Sequence, residues 1–222
     1  MEMSKFQFKN KSFMNWDVTL EVAQKQFGEF APENIAFRAG VKYLEKEKEI
    51  VVPFLNKEYR VRYPSGEVYQ EQEGEVPVVN KILILHYLNS AEGVAIKNRW
   101  ISFKELPAGQ IYINPFHNRA IRPLIKFFGE RPENLIKAGS ILGGVRESFG
   151  DVSIRIPVLP MVPVVYVIWR GDEEFPASGN ILFDASAPNY LPTEDYAVLS
   201  GMVVFELKKI ADQLAEKAEK VL

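Results

Sequence analysis

Residues 152–169 read VSIRIPVLPMVPVVYVIW, and this stretch determines the architecture that we expect for the chain. In its first half, apolar side chains occupy every second position from Val152 to Val158, which is the period of a strand with one buried face. From Val164 to Trp169 the chain is continuously apolar, as is typical of a strand buried on both faces. The two halves therefore predict two strands of a central sheet.

The same region contains the longest apolar stretch of the chain, residues 157–169. This stretch is too short to cross a bilayer as a helix, and Pro160 and Pro163 interrupt it, so we expect no membrane-spanning segment and no membrane partner. Residues 1–15 lack the continuous apolar core of a secretory signal. We expect a cytoplasmic protein in which residues 1–15 form an N-terminal extension and residues 16–222 form a single domain.

The first 90 residues predict helices around a small sheet. One helix would run from about residue 15 to Phe27, and a second would begin at Pro32 and end at Gly40. Apolar and charged residues alternate between residues 49 and 68, which predicts an antiparallel meander. Residues 82–88 are rich in Leu and Ile and predict a buried helix that carries His86.

A helix is also predicted after the middle of the chain. Asn114 would be its N-cap and Pro115 its first residue, and it would run to Phe128 with a kink at Pro123. The preceding turn, residues 107–109, ends in a glycine that we expect to adopt positive φ. A second helix would follow over about residues 132–144, whereas the charged residues 67–75 predict a mobile loop.

The C-terminal region predicts a long amphipathic helix capped by Thr193. Its apolar residues recur at spacings of three, four or seven: Leu199, Val203, Leu207, Ile210, Leu214 and Val221. Short extended segments are expected at residues 100–103 and 181–183. Together these elements predict an α+β fold with a mainly antiparallel sheet packed by helices.

Charge and cysteine content exclude several classes of function. The net charge of −2 comes from 27 basic and 29 acidic residues spread along the chain, so nucleic acid is not an expected partner. With no cysteine, the chain has no disulfide, no thiol nucleophile and no cysteine-ligated iron–sulfur cluster. No motif has the fixed spacing of metal ligands, and the common signatures of enzyme families are absent, so no metal site is assigned.

Acidic residues follow two of the predicted strands, and their role has two interpretations. Asp172, Glu173 and Glu174 come soon after the strand that ends at Trp169, and Asp184 ends the next strand. If these strands are neighbours, the carboxylates would suit Mg²⁺, Mn²⁺ or acid–base catalysis. The alternative is that they bind backbone N–H groups in turns.

His86 and His117 are the only histidines, so imidazole catalysis, haem ligation or corrinoid ligation must use one of them. His86 lies in an apolar helix, where a hydrogen-bonded core histidine is the alternative interpretation. His117 lies in the first turn of its predicted helix, where free N–H groups attract anions. Arg119, Arg122 and Lys126 follow at spacings that place them on one face, which would bind an anion or simply face solvent.

Aromatic residues are dense in the middle of the chain and would line a pocket for a flat ligand or build the core. They are Trp100, Phe103, Tyr112, Phe116, Phe127 and Phe128.

Five segments, taken in order, resemble domain-of-unknown-function family 3786 of bacteria and archaea. They are residues 85–88 (LHYL), 100–107 (WISFKELP), 171–176 (GDEEFP), 181–184 (ILFD) and 190–195 (YLPTED). The resemblance covers most of the chain from about Trp16 onward. It implies no assigned activity, but some members look fused to a small cysteine-rich iron–sulfur domain in anaerobic organisms, which implies redox or corrinoid metabolism. Because this chain lacks cysteine, any cluster would belong to a partner protein.

Three functions remain open at this point. The leading hypothesis is a binding or accessory protein for an anionic or tetrapyrrole-like ligand, at a site formed by His117, Arg119, Arg122, Lys126 and His86. The alternatives are an enzyme that uses the carboxylates of residues 172–174 and 184, and an interaction module that docks through its C-terminal helix. The expected partners are accordingly a small molecule or an iron–sulfur protein.

Overall fold

The computed structural model describes residues 16–71 and 74–219. The predicted N-terminal extension therefore lies outside the described residues, as does Val221. The α-helices of the described part are α1 (Trp16–Phe27), α2 (Pro32–Ala39), α3 (Val78–Ser90), α4 (Gly109–Phe116), α5 (Arg122–Phe128), α6 (Glu133–Ile141) and α7 (Thr193–Glu219). None of these helices combines the length and the apolar character that crossing a bilayer requires.

A four-stranded antiparallel meander forms the smaller sheet. Its strands are β1 (Lys42–Leu44), β2 (Glu49–Phe54), β3 (Lys57–Arg62) and β4 (Glu67–Tyr69), paired in chain order. The meander predicted over residues 49–68 is confirmed, whereas β1 was not predicted because three residues are too few to show alternation. The loop predicted at residues 67–75 is wrong in its first part, because Glu67–Tyr69 pairs with β3.

A five-stranded antiparallel sheet forms the centre of the molecule, as predicted. Its strands are β5 (Trp100–Ser102), β6 (Val145–Glu147), β7 (Val152–Leu159), β8 (Val162–Trp169) and β9 (Ser178–Asp184), in the spatial order β5-β9-β8-β7-β6. Every residue of β8 from Val162 to Ile168 is buried, which explains its unbroken apolar sequence. The α+β fold with antiparallel sheets packed by helices is therefore confirmed.

The long C-terminal helix is confirmed as amphipathic. The side chains of Leu199, Val203 and Leu207 are fully buried in the core, and Leu214 is partly buried. Thr193 is the first residue of α7, and its hydroxyl donates to the carbonyl oxygen of Pro107 at 2.6 Å. This bond fastens the start of the helix to the segment that follows β5.

The helix predicted to begin at Asn114 begins instead at Gly109. Gly109 does not adopt positive φ as predicted; Ala108 does, with φ of 56°. Glycine is required at 109 because a Cβ there would lie 2.1 Å from the carbonyl oxygen of Phe103. The predicted N-cap at Asn114 is therefore wrong, and Pro115 lies inside α4.

A π-helical segment, His117–Ile121, joins α4 to α5. Its wider turn precedes Pro123, which has no N–H to donate, so the helical path continues to Phe128 through the second proline. His117 thus lies about two turns beyond the helix start, not in the first turn. It does not face a row of free N–H groups.

Most of the predicted aromatic group belongs to the core. The rings of Phe103 and Phe116 stack with centroids 4.0 Å apart, and Phe183 contacts both. Phe103, Phe116 and Phe128 are at most 1% exposed. The interpretation of these three side chains as core residues is confirmed.

Candidate functional site

His86 of α3 and Asp195 of α7 form a hydrogen-bonded pair. Nδ1 of His86 lies 2.7 Å from Oδ2 of Asp195. The Asp195 carboxylate can only accept, so Nδ1 carries the proton, and in the neutral ring Nε2 keeps a free lone pair. Asp195 is 7% exposed, whereas the His86 side chain is 24% exposed. The buried Asp195 thus fixes the orientation of the His86 ring, and part of that ring is accessible to solvent.

A cleft of about 460 Å³ is lined by residues close in sequence to both members of this pair, although neither His86 nor Asp195 lines it. Its lining residues are Arg38, Asn89, Ser90, Ala91, Glu92, Pro188, Leu191 and Pro192. Asn89 and Ser90 are one helical turn along α3 from His86, and Leu191 and Pro192 are three and four residues before Asp195. The cleft thus shares α3 with His86 and the segment leading into α7 with Asp195.

Three buried tyrosines hold the elements that carry the pair. The rings of Tyr87 and Tyr190 stack with centroids 5.9 Å apart, which joins α3 to the segment before α7. Tyr87 donates its hydroxyl to the carbonyl oxygen of Ala39 at 2.5 Å, and Tyr196 donates to that of Ala187 at 2.8 Å. Burial raises the pKa of both phenols well above the ordinary value, so they remain neutral donors.

Asp184 is a buried carboxylate that fastens two loops. Its Oδ1 accepts hydrogen bonds from the backbone N–H groups of Lys97 and Ser186, each at 2.9 Å, and from the Ser186 hydroxyl at 2.7 Å. Burial by itself raises the pKa of this carboxyl, but the bonds from Ser186 and Lys97 outweigh burial, and the pKa lies below the usual value. Asp184 therefore stays charged and organises the chain around the end of β9.

The acidic residues after β8 do not join Asp184. β8 and β9 are neighbours, but they run antiparallel, with Trp169 opposite Ser178 and Val164 opposite Phe183. Asp184 is thus at the other end of the sheet, separated from the residue 172–174 loop by about 20 Å of strand. The expectation that Asp184 approaches Asp172 or Glu174 is wrong.

Asp172 closes a turn, as the alternative interpretation predicted. Its Oδ1 accepts from the backbone N–H groups of Phe175 at 2.7 Å and Glu174 at 2.9 Å, and these bonds hold the pKa of its carboxyl below the usual value. Glu173 and Glu174 are exposed. Within residues 16–71 and 74–219, no three His, Asp or Glu side chains are grouped so that they could hold a metal ion.

The predicted basic face lies on the π-helical segment and α5. Arg122 and Lys126 are exposed, and neither has an ion pair in the described part of the chain. The carbonyl oxygen of Arg119 faces Gly201 of α7, about two turns beyond Asp195. The helix N-terminus that was expected to reinforce anion binding at His117 is absent from this place, because α4 begins at Gly109.

Four of the five family-like segments are connected to one another by hydrogen bonds or strand pairing, and two of them supply the His86–Asp195 pair. The segments at residues 85–88 and 190–195 supply the pair itself, and the hydroxyl of Thr193 reaches the carbonyl of Pro107 in the segment 100–107. The segment 181–184 pairs with β5, Trp100 opposite Asp184. The fifth segment, residues 171–176, lies at the far end of β8.

Asp195 and Arg38 were not predicted as site residues. In the sequence, Asp195 was explained by its favourable electrostatic position near the N-terminus of α7, and it does lie in the first turn of that helix. Because this explanation was sufficient, its contact with His86 was not predicted. A side chain able to bind or transfer a proton in each of two family-like segments, His86 and Asp195, was the available signal. No sequence pattern marked Arg38.

A family model described as "Domain of unknown function (DUF3786)" matches residues 31–206, a range that includes His86, Asp195 and Arg38. No curated protein and no solved structure that was compared matches the chain. The resemblance expected from the five segments is confirmed, and this chain belongs to the DUF3786 family.

Proposed function

We propose that this protein binds an anionic metal chelate of the tetrapyrrole type and that His86 supplies an axial ligand to its metal through Nε2. The observation that carries the proposal is the 2.7 Å hydrogen bond between His86 and Asp195. A histidine that ligates a metal through one ring nitrogen usually donates its other N–H to a carboxylate or carbonyl, which fixes the ring and raises its basicity.

A single imidazole fits a chelated metal better than a bare ion. A metal that four chelator nitrogens already hold needs only an axial ligand from the protein, as haem iron does. Here His86 offers one free ring nitrogen, and no three potential metal ligands are grouped within the described residues. The Asp195 carboxylate binds the ring, and Asp184 binds Ser186 and Lys97 through Oδ1, while its buried Oδ2 has no hydrogen-bond partner in the described part of the chain. When bound, such a group would supply redox chemistry that the side chains of this chain lack.

The cleft offers a place for part of such a ligand. Its volume of about 460 Å³ falls within the range of small-molecule sites. Pro188, Leu191 and Pro192 supply apolar contact, and Arg38 supplies positive charge. The cleft is smaller than a whole tetrapyrrole, so we propose that one edge of the ligand enters it and the rest stays exposed.

Absorbance titration with iron protoporphyrin IX and with cobalamin tests this function. His117→Ala is a matched control for His86→Ala, because these are the only two histidines. We expect the unmodified protein and His117→Ala to form a one-to-one complex with an imidazole-ligated spectrum, and His86→Ala to lose that spectrum. Equal binding by the His86 and His117 variants would contradict the proposal.

The same pair supports a second candidate, a general acid–base enzyme. A neutral imidazole held at Nδ1 by a carboxylate is also the arrangement of a general base. This candidate is tested by assaying a panel of carboxylate and phosphate esters without any metal chelate. We then expect at least one ester to be turned over by the unmodified protein and by His117→Ala, but not by His86→Ala. The carboxylates of residues 172–174 and 184 are not required for this candidate.

We further propose a cytoplasmic location, in anaerobic redox or corrinoid metabolism. What supports this setting is the iron–sulfur domain that some family members look fused to. An iron–sulfur protein would then be a separate redox partner of this chain, which carries no cysteine of its own.

A further inference from the structure

We infer that Arg38 binds a carboxylate or phosphate group of the ligand in the cleft. This inference rests on the proposed function for the identity of the ligand, and it deepens that function by assigning the group that recognises its charge. Arg38 lies on α2 and lines the cleft together with Asn89 and Ser90 of α3.

The Arg38 side chain is held in place along its whole length. Its stem packs against Gly93, where a Cβ would lie 3.5 Å from Cα and 3.6 Å from Cγ of Arg38. Its Nε donates to the carbonyl oxygen of Asn34 at 3.4 Å, and its guanidinium carbon lies 5.2 Å from the centroid of the Phe30 ring. These contacts order the guanidinium before any ligand arrives.

The charge of Arg38 is available to a ligand. No carboxylate in the described residues lies within ion-pair distance of it, in contrast to Arg60, which pairs with Glu49, Glu58 and Glu71. Glu92 also lines the cleft and keeps its charge; its Oε2 accepts from Nδ2 of Asn189 at 2.5 Å, and it forms no ion pair with Arg38.

An ordered guanidinium suits anions that present two oxygens side by side. Its fork of N–H donors matches the two oxygens of a carboxylate or phosphate, and less side-chain entropy is lost on binding because the stem is already fixed. The expected ligand therefore carries a carboxylate or phosphate on the edge that enters the cleft, at a distance from the metal that His86 would ligate.

The first test uses simple anions and does not depend on a metal. The Nε–Hε resonance of Arg38 is followed by NMR while succinate or inorganic phosphate is added to the full chain and to His86→Ala. We expect a saturable shift in both proteins, with the more effective of the two anions identifying the group. Absence of a saturable shift with either anion overturns the inference.

The second test compares iron protoporphyrin IX with its dimethyl ester, in which both carboxylates are blocked. The unmodified protein should bind the diacid about 10- to 100-fold more tightly than the diester, the range expected for a charge-assisted hydrogen bond. Arg38→Met should bind both equally, and Arg131→Met, which removes an exposed arginine just before α6, should keep the preference. An undiminished preference in Arg38→Met would overturn the inference.

The two tests separate failure of this inference from failure of the proposed function. A saturable Arg38 shift without porphyrin binding would keep the anion site and reject the chelate. Porphyrin binding through His86 without an Arg38 effect would keep the proposed function and reject the anion site.

Discussion

The carbonyl oxygen of Arg119 lies against Gly201 of α7, so closely that a Cβ on Gly201 would be 2.6 Å from it. Arg119 lies in the π-helical segment, where a carbonyl pairs with the N–H five residues later, as that of His117 does with Arg122, so Pro123 at the fourth position removes no donor from this pattern. Glycine on α7 lets the two backbones approach this closely, since any side chain at position 201 would meet the Arg119 backbone.

Gly201→Ala should destabilise the protein by about 1–3 kcal/mol, because the contact is with rigid backbone that cannot yield. Urea unfolding would measure the loss. Gly74→Ala is the control, since a Cβ there meets nothing within 4 Å. An equal effect of the two substitutions would show that α7 and the π-helical segment do not pack this closely.

Phe103→Ala should cost about 3–5 kcal/mol of stability, because it removes a ring that is 1% exposed and stacks on Phe116. Phe175→Ala removes an aromatic that is 67% exposed and should change stability by no more than about 0.5 kcal/mol. Thermal unfolding of the two variants compares them directly. A small loss of stability in Phe103→Ala would instead favour the interpretation of this ring as part of a ligand pocket.

Asp184→Asn should destabilise the protein at neutral pH by about 1–3 kcal/mol, because it removes the charge that three hydrogen bonds stabilise. The folded pKa of Asp184 is lowered, so the unfolded state binds a proton first as pH falls. The stabilisation by the charge is therefore complete above the unfolded value of 3.8 and is lost as pH falls through the folded pKa.

Urea midpoints measured from pH 7 to pH 3 test this expectation. The gap between the unmodified protein and Asp184→Asn should shrink below about pH 4, while exposed Glu173→Gln should leave midpoints unchanged throughout. A gap independent of pH would mean that the charge on Asp184 is not what stabilises the two loops.

Asp195→Asn should change the tautomer of neutral His86. In the unmodified protein the proton lies on Nδ1, because the Asp195 carboxylate can only accept. The side-chain amide that this substitution introduces can donate as well as accept, so it would no longer impose this choice, and the form protonated at Nε2 should appear. Long-range ¹⁵N–¹H correlation spectra show which ring nitrogen carries the proton, and the spectrum of His117→Ala identifies the signals of His86. A His86 ring protonated at Nε2 in the unmodified protein would contradict the hydrogen bond from Nδ1 to Asp195.

The fold was largely predictable because its strongest signals are local. Alternation from Val152 to Val158 and the apolar run that ends at Trp169 reflect strand periodicity, which does not depend on the rest of the chain. The helix around Asn114 was mispredicted for the complementary reason. Asn-Pro is a strong start signal locally, but the close approach of Gly109 to Phe103 sets the true start.

The candidate site was only partly predictable because distant residues build it. His86 was singled out as one of two histidines, but its partner Asp195 is 109 residues away, and no local pattern couples them. The separation of Asp172 from Asp184 depends on strand direction, which neither segment encodes by itself. Arg38 is distinguished by contacts with Phe30, Asn34 and Gly93 rather than by sequence.

Native mass spectrometry of protein purified anaerobically from a host of its own kind tests the central claim most directly. The proposed function predicts that the unmodified protein and His117→Ala carry one organic metal chelate per chain, and that His86→Ala carries none. Equal occupancy in the two histidine variants, a bare divalent ion without organic mass, or chelate-free protein in all three preparations would contradict it.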